Sequence, residues 1–321
     1  MKEIGGYLEL ELPQGDLSRI HPGVLVNSGR HALEYILRSL GERVRRIWLP
    51  YYTCDVVLEP IRRLNLDFAF YHINENLEIA GEPELKDGEY IIVNNYYGVK
   101  DEYIRKIVSR YGNRLIVDNA QAWYCEPELS THSFYSPRKF FGLPDGGLVA
   151  CASDKEIVLP EGRSYGRFSH LLKRIDTGAS SGYEDFRSNS EQLQQEPLTK
   201  MSRLTERLLC SIDFEDAKIK RRGNFDHLYH ELVESNGLTI PEIKPWMCPM
   251  VYPYLTEDET LRQRLISNKV FVAQYWPNVL KWCSEDSVEY KLVKKLVPLP
   301  IDQRYGKEDM DYIVRIIKSL K

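Results

Sequence analysis

Between residues 46 and 117 short apolar runs alternate with stretches of helical periodicity, and this alternation constrains the fold more than any other feature of the chain. Arg46-Ile47-Trp48-Leu49 reads as a strand stopped at Pro50, and residues 55–64 as a helix. Phe68-Ala69-Phe70-Tyr71 and Tyr90-Ile91-Ile92-Val93 are further strands, 102–111 a helix, and Leu115-Ile116-Val117 another short strand. Strands separated by helices of about ten residues predict an α/β architecture, a mainly parallel sheet covered on both faces. In such sheets a ligand lies beyond the carboxyl ends of the strands. The polar groups Tyr51-Tyr52-Thr53, Asn94-Asn95-Tyr96-Tyr97-Gly98 and Asp118-Asn119-Ala120-Gln121 each follow a strand end, so they are expected to converge on one rim.

Upstream, the alternation of Tyr7-Leu8-Glu9-Leu10-Glu11-Leu12 predicts an edge strand. Ala32, Leu33, Ile36, Leu37 and Leu40 have helical spacing, Ser28 is a natural N-cap and Gly41 a stop. A helix opened by Ser28-Gly29 offers backbone N–H groups and a favourable dipole to an anion. Residues 160–200, rich in glycine, serine and glutamine, read as a long, partly mobile excursion, a lid or a dimer-contact arm. Beyond it, Met201, Leu204, Leu208, Leu209 and Ile212 form a helical face, and 217–235 a longer helix. Strands are predicted at 249–254 and 270–275, with helices at 257–267 and from 308 onward. The expected organisation is a large domain over 1–200 and a smaller α+β domain over 201–321.

A chain of 321 residues can bury a core of this size, and 43% hydrophobic with 28% charged residues is ordinary for a soluble globular protein. A net charge of −4 does not suggest a nucleic-acid surface. Without an apolar run near 18 residues, and with no signal pattern at Met1–Gly6, no membrane contact and a cytoplasmic location are expected. The six cysteines, at 54, 125, 151, 210, 248 and 283, form no Cys-x-x-Cys pair and read as buried free thiols. His227 and His230 lack a third ligand nearby, so no metal site is expected. Neither Gly-x-Gly-x-x-Gly nor a phosphate loop ending Gly-Lys-Ser/Thr occurs, which argues against a nucleotide-cofactor oxidoreductase.

The chemistry concentrates between Asn95 and Gly147. Here a carboxylate ends a strand (Asp118), an amide follows three residues later (Gln121), and a polar loop carries Ser133, Arg138 and Lys139 before Asp145-Gly146-Gly147. These groups suit a small anionic cofactor with a lysine-reactive carbonyl, pyridoxal 5'-phosphate (PLP). An acidic group beside its ring nitrogen keeps the ring an electron sink, a role for Asp118. Gln121 can donate to the phenolic oxygen. Lys139 can bond the aldehyde and later move a proton. The phosphate requires donors: Ser28, the backbone of Gly29 and Arg30, and the Ser133 hydroxyl. Each part has an ordinary reading too. A strand-terminal Asp is often a cap, a lone lysine a surface charge, and Asp-Gly-Gly a plain turn. The ordered set carries more than its members.

That set resembles the DegT/DnrJ/StrS group of PLP-dependent sugar aminotransferases. Asn27-Ser28-Gly29-Arg30-His31-Ala32-Leu33 resembles the phosphate-binding helix start of that family, and Leu49-Pro50-Tyr51-Tyr52-Thr53-Cys54 its next strand end. Asn95-Tyr96-Tyr97-Gly98 is similar to its aromatic-Tyr-Gly loop. Asp118 and Gln121 match Asp-x-Ala-Gln, and Ser133 to Lys139 the Ser-Phe…Lys element; Met201-Ser202 resembles a segment near the subunit contact. There are departures. Lys139 follows Ser133 by six residues rather than five, which places Arg138 at the lysine's count from Ser133; counting back from Gly142 favours Lys139, and arginine is a poor nucleophile. Cys54 stands where an aromatic commonly stacks on the ring, leaving Tyr51, Tyr52 or Tyr97 as substitutes.

The resemblance implies a fold-type-I enzyme, a homodimer with shared active sites. It would transfer an amino group from glutamate or glutamine to a keto nucleotide-sugar, in polysaccharide or antibiotic-sugar biosynthesis. Lys139 would be catalytic, with Ser28, Gly29, Arg30, Tyr52, Asp118, Gln121 and Ser133 at the cofactor. Tyr97, Arg187, Asn189 and Arg304 are candidates for substrate or partner-subunit contacts. The rival reading is a non-catalytic relative that binds a sugar nucleotide or a partner enzyme.

Overall fold

The structure, a computed structural model, describes residues 4–15, 23–81, 83–128, 130–150, 155 and 157–319. Cys151 lies outside them; the other five cysteines are free thiols, Cys125 and Cys248 buried and the rest partly so. The first half builds the main sheet. In chain order it runs β1 (Val24–Val26), α1 (Gly29–Leu40), β2 (Arg46–Pro50), α2 (Leu58–Arg63), β3 (Asp67–Ile73), β4 (Ile79–Ala80), β5 (Glu89–Asn94), α3 (Asp101–Tyr111), β6 (Leu115–Asn119), β7 (His132–Tyr135) and β8 (Gly147–Ala150). The second half supplies α4 (Ser169–Asp176), α5 (Tyr183–Gln195), α6 (Arg203–Cys210), α7 (Phe214–Leu232), β9 (Val251–Leu255), α8 (Leu261–Ser267), α9 (Val279–Trp282), α10 (Val288–Lys295), β10 (Leu296–Pro300) and α11 (Lys307–Lys318).

Among the described residues the main sheet has eight strands, in the order β1-β8-β7-β6-β5-β2-β3-β4. Pairings from β3 through β2, β5 and β6 to β7 are parallel; β8 pairs antiparallel with both β7 and β1, and β4 with β3. The predicted mixed, mainly parallel α/β sheet is therefore present. Because side chains alternate along a strand, neighbouring residues enter different cores. Ile92, Ile116 and Phe134 pack with Ala32, Leu33 and Ile36 of α1 on one face. Ile91, Val93, Leu115 and Val117 pack on the other with Phe225 of α7, Met310 of α11 and Tyr252 and Leu299 of the two-stranded β9–β10 sheet. Burying an Ile or Leu of α1 contributes about 1.5–3 kcal/mol each, and Ala32, Leu33 and Ile36 are fully covered.

Three expectations change. Residues 7–12 pair with no strand among the described residues; Tyr7, Leu8 and Leu10 stand exposed. A strand needs a partner as well as alternation, and the sheet edge at β1 is bridged instead by Lys200. The excursion at 160–200 is largely helical, a hairpin of α4 and α5 around the turn at Gly178 and Gly182. Its polar composition hid two helices that bury only one narrow stripe, including His170, Asn189 and Leu193. Residues 270–275 are irregular rather than a strand, and α9, α10 and β10 were not foreseen.

Candidate functional site

The carboxyl ends of β5, β6 and β7 lie side by side, so Asn94, Asp118 and the residues after Tyr135 meet at one rim. Asn94 Nδ2 donates to Thr53 Oγ1 at 3.1 Å, and Asn95 Nδ2 to Asp101 and Asn119 at 2.7 and 3.1 Å. Tyr97 N–H donates to Gln121 Oε1 at 3.0 Å. The Gln121 amide is thus held by its oxygen, while its buried Nε2 has no acceptor among the described residues. A donor fixed in place without a partner is what an acceptor oxygen on a bound molecule would complete.

Asp118 accepts Ala120 N–H at 2.8 Å. Burial raises its pKa above the usual carboxylate value, and the Lys139 charge and the Ala120 N–H act in the opposite direction. Lys139 also acts on Cys54, whose thiol is raised chiefly by burial. Lys139 is exposed, close enough for its charge to act on both Asp118 and Cys54. Arg138 lies instead among Asp145, Arg30 and Arg167. The one-residue shift in spacing therefore sets Lys139, not Arg138, opposite the strand-end carboxylate.

The loop of Lys139 is fixed from behind. Lys139 N–H donates to Ser136 O at 3.1 Å, and Phe140 and Phe141 N–H both donate to Pro137 O at 2.9 Å. Arg221 of α7, 1% exposed, donates to Phe140 O at 3.0 Å, Met250 O at 3.1 Å and Gln303 Oε1 at 2.8 Å. Its guanidinium lies 4.7 Å from the centre of the Phe140 ring. Asp145 is not a plain turn residue. Fully buried, it accepts hydrogen bonds from Ser202 N–H at 3.2 Å, Ser202 Oγ at 2.9 Å and Thr205 Oγ1, tying the N-terminus of α6 to Gly146 and the start of β8.

At the start of α1 the sequence reading is partly revised. Ser28 caps the helix, but its hydroxyl turns inward. It accepts His31 N–H at 3.3 Å and lies 2.8 Å from His31 Nδ1. His31 Nε2 lies 2.9 Å from Glu196 O, which only accepts, so Nε2 carries the hydrogen and Ser28 donates to Nδ1. The Arg30 side chain pairs with Glu59 at 2.7 Å, which leaves its backbone as the group offered at the helix end. Gly29 approaches the strand end closely: a Cβ there would lie 3.2 Å from Ser136 Cβ and 3.5 Å from Ser136 Oγ.

Ser133 does not reach this helix. It pairs with Val117 and Ala150 inside β7, on the face away from Phe134 and α1, and roughly 10 Å back along the strand from Ser136 at about 3.3 Å per residue. The extra residue between serine and lysine thus leaves Ser136 as the hydroxyl beside Gly29. Its signal was its place just past the last apolar residue of β7.

Tyr52 and Tyr97 are fully buried, their hydroxyls 2.8 Å apart, so neither offers a face to a ligand. Tyr51 is stacked on Phe70 at 4.7 Å. Cys54 therefore has no aromatic substitute among these three. Tyr275, unforeseen, packs near it; burial and then the Cys54 thiol push its hydroxyl up to about 12. Arg187 pairs with Glu191 at 3.5 Å on the exposed side of α5, while Asn189 is buried and donates to Pro144 O at 2.8 Å. Arg304 is held by Asp302 through bonds of 2.6 and 2.8 Å. None of the three is brought to the rim as a free polar group. His227 pairs with Asp311 at 2.7 Å.

No family model and no curated protein matches the sequence. Solved structures do match. A DegT DnrJ EryC1 StrS aminotransferase from Brucella abortus aligns with a TM-score of 0.64 and 14% identity, over 94% of this chain and 87% of that one. The sugar aminotransferase CalS13 from Micromonospora echinospora aligns at 0.62 and 18%, over 95% and 89%. Spr1654 from Streptococcus pneumoniae, in its PLP form, aligns at 0.64 and 13%, over 96% and 92%. The chain has the fold of the DegT/DnrJ/EryC1/StrS aminotransferases. In this fold-type-I frame the rim of β5, β6 and β7, with Asp118 and Lys139, lies beyond the strand ends where an α/β sheet binds its ligand.

Proposed function

We propose that this protein is a PLP-dependent aminotransferase that moves an amino group from glutamate or glutamine to a keto nucleotide-sugar. The observation that carries the reading is the convergence of Lys139 with Asp118 at the rim, beside an unpartnered Gln121 donor. Solved structures of the same fold include a PLP form and a ketimine complex, the latter of DesV from S. venezuelae. When bound, PLP supplies an electron sink for the carbon that gains or loses the amine. The chain's own residues divide the remaining work. Asp118 would hold a proton at the ring nitrogen, Gln121 would orient the phenolic oxygen, and Gly29, Arg30 and Ser136 would receive the phosphate. Lys139 would be the amine for the aldehyde and the group that carries a proton at the reacting carbon.

A cavity of about 360 Å³ lined by Asp55, Leu58, Arg62, Pro277, Asn278, Lys281 and Trp282, whose Asn278 donates to Thr53 O at 2.9 Å, suits an extended, charged substrate. Arg62 and Lys281 would meet phosphates and Trp282 a base. The homodimer belongs to the same proposal: the α4–α5 hairpin leaves Ile175 80% and Tyr183 63% exposed, an apolar surface suited to a second copy. The large unit over 1–200 and the smaller one over 201–321 would face each other across the rim.

The test is a visible absorption spectrum with added PLP, beside Lys139→Ala. The wild type should show the band of lysine-bound PLP, the variant should lack it, and glutamate should bleach it. If neither protein takes up PLP, the aminotransferase reading falls, and a binding protein for sugar nucleotides takes its place.

A further inference from the structure

Of the guanidinium groups of Arg30, Arg138 and Arg167, which act on one another near Asp145, that of Arg138 lacks a partner among the described residues. Its neighbours Arg30 and Arg167 are engaged, Arg30 with Glu59 at 2.7 Å and Arg167 with Glu196 and, at 3.9 Å, Asp145. The Asp145 oxygens are already taken by Ser202 and Thr205. Among the described residues Arg138 has no hydrogen bond and no ion pair, and its Nε is buried without an acceptor. Burial pulls the guanidinium below the usual arginine range, with Asp145 opposing and Arg30 and Arg167 adding to the effect. His170, 7% exposed, lies in the same group and is itself lowered by burial and then by the Arg138 charge. A largely buried guanidinium whose one neighbouring carboxylate, Asp145, is already bonded to Ser202 and Thr205 keeps donors free for a further anion.

The place of Arg138 says which anion. It follows Ser136 and Pro137 in the tight turn that ends at Lys139. Ser136 touches the start of α1 at Gly29, and a Cβ on Gly146 would come within 3.2 Å of Pro137. The turn is therefore wedged between the N-terminus of a twelve-residue helix and the Asp145 anchor. Arg138 and the first-turn N–H groups of α1 belong to one region, whereas Lys139 projects from the same turn toward Asp118.

We propose that Arg138 binds the phosphate monoester of the cofactor, as the guanidinium of a site completed by Ser136 and the backbone at Gly29 and Arg30. This rests on the PLP reading above. The residue that upsets the serine-to-lysine spacing thereby acquires a role: it grips the phosphate while its neighbour bonds the aldehyde. A guanidinium presents a fork of donors that matches phosphate oxygens in pairs.

The experiment compares wild type, Arg138→Met and Arg138→Lys in binding PLP and pyridoxal, which lacks the phosphate. Apo-protein melting, with and without inorganic phosphate, is measured alongside. For Arg138→Met we expect PLP affinity to fall on the order of 10- to 100-fold, with pyridoxal affinity unchanged. Apo melting should not drop, because an unpaired buried charge has been removed, and inorganic phosphate should stabilise the wild type but not this variant. Arg138→Lys, which keeps the charge but not the fork, should fall between. Unchanged PLP affinity, or equal weakening of both aldehydes, overturns the proposal. So does a lower apo melting temperature, which would mean a structural role; for a variant that does not fold, Arg138→Lys and the wild-type response to phosphate decide. If the wild type binds pyridoxal as tightly as PLP, the phosphate site falls and the cofactor reading stands. If it binds neither, both fall together.

Discussion

Truncating Arg221 should loosen the reactive-lysine loop from a distance. In Arg221→Ala three hydrogen bonds from a buried cation disappear. Phe140 O keeps a bond from Gln303 Nε2 at 3.1 Å, whereas Met250 O loses its guanidinium donor. The side chain also leaves a void beside the Phe140 ring. Charge-assisted bonds contribute about 1.5–3 kcal/mol each, but they share one group and are not additive, so a total cost of about 3–5 kcal/mol is expected. At roughly 2 °C per kcal/mol for a large chain, the melting temperature should fall by roughly 6–10 °C. Arg221→Lys, which retains the charge but reaches fewer acceptors, should lose about half as much. Thermal unfolding followed by circular dichroism reads both. Because Phe140 O adjoins Lys139, the variant should also bind PLP more weakly in proportion to the loop's freedom. A fall in melting temperature under about 2 °C for Arg221→Ala would refute the view that this guanidinium anchors the loop.

Two further outcomes follow from the start of α1. Burial lowers His31 from 6.5 to about 4, against the bond to Glu196 O and the Glu34 charge. The unfolded chain therefore binds a proton that the folded one refuses between about pH 6.5 and 4. The stability is complete above that window and is lost as pH falls through it, by about 3 kcal/mol in total. His31→Gln should flatten this loss, so its melting temperature should drop less than the wild type's between about pH 7 and 4.5; equal drops would refute the assignment. Ser136→Ala should weaken PLP binding on the order of tenfold or more, the equivalent of one hydrogen bond to a charged acceptor, while Ser133→Ala should leave it unchanged; the reverse order would restore Ser133 to the phosphate.

The parts of the site legible in the sequence are those set by local rules. The cap at Ser28, the helical spacing from Ala32 to Leu40 and the stop at Gly41 together delimit α1. Asp118 at a strand end and Gln121 three residues on follow from chain geometry alone, as does their meeting with Asn94, because parallel strands bring their carboxyl ends together. The α4–α5 hairpin was not legible, since its helices bury only a narrow stripe and read as polar linker. Tyr52 and Tyr97 looked available because a tyrosine suits both a cavity and a core; only packing revealed that their hydroxyls satisfy each other in the interior.

By itself the sequence determined a parallel α/β frame, one polar rim and the residue types gathered there, because periodicity, caps and turns act over a few residues. Tertiary structure decided which members of the rim face one another. Whether Ser133 or Ser136 adjoins α1 and whether Arg138 or Lys139 acts on Asp118 depend on strand register, and which side chain holds the lysine loop depends on packing between segments 81 residues apart, as Arg221 and Phe140 are. A one-residue shift along a strand turns a side chain to the opposite face, and composition carries no record of that turn.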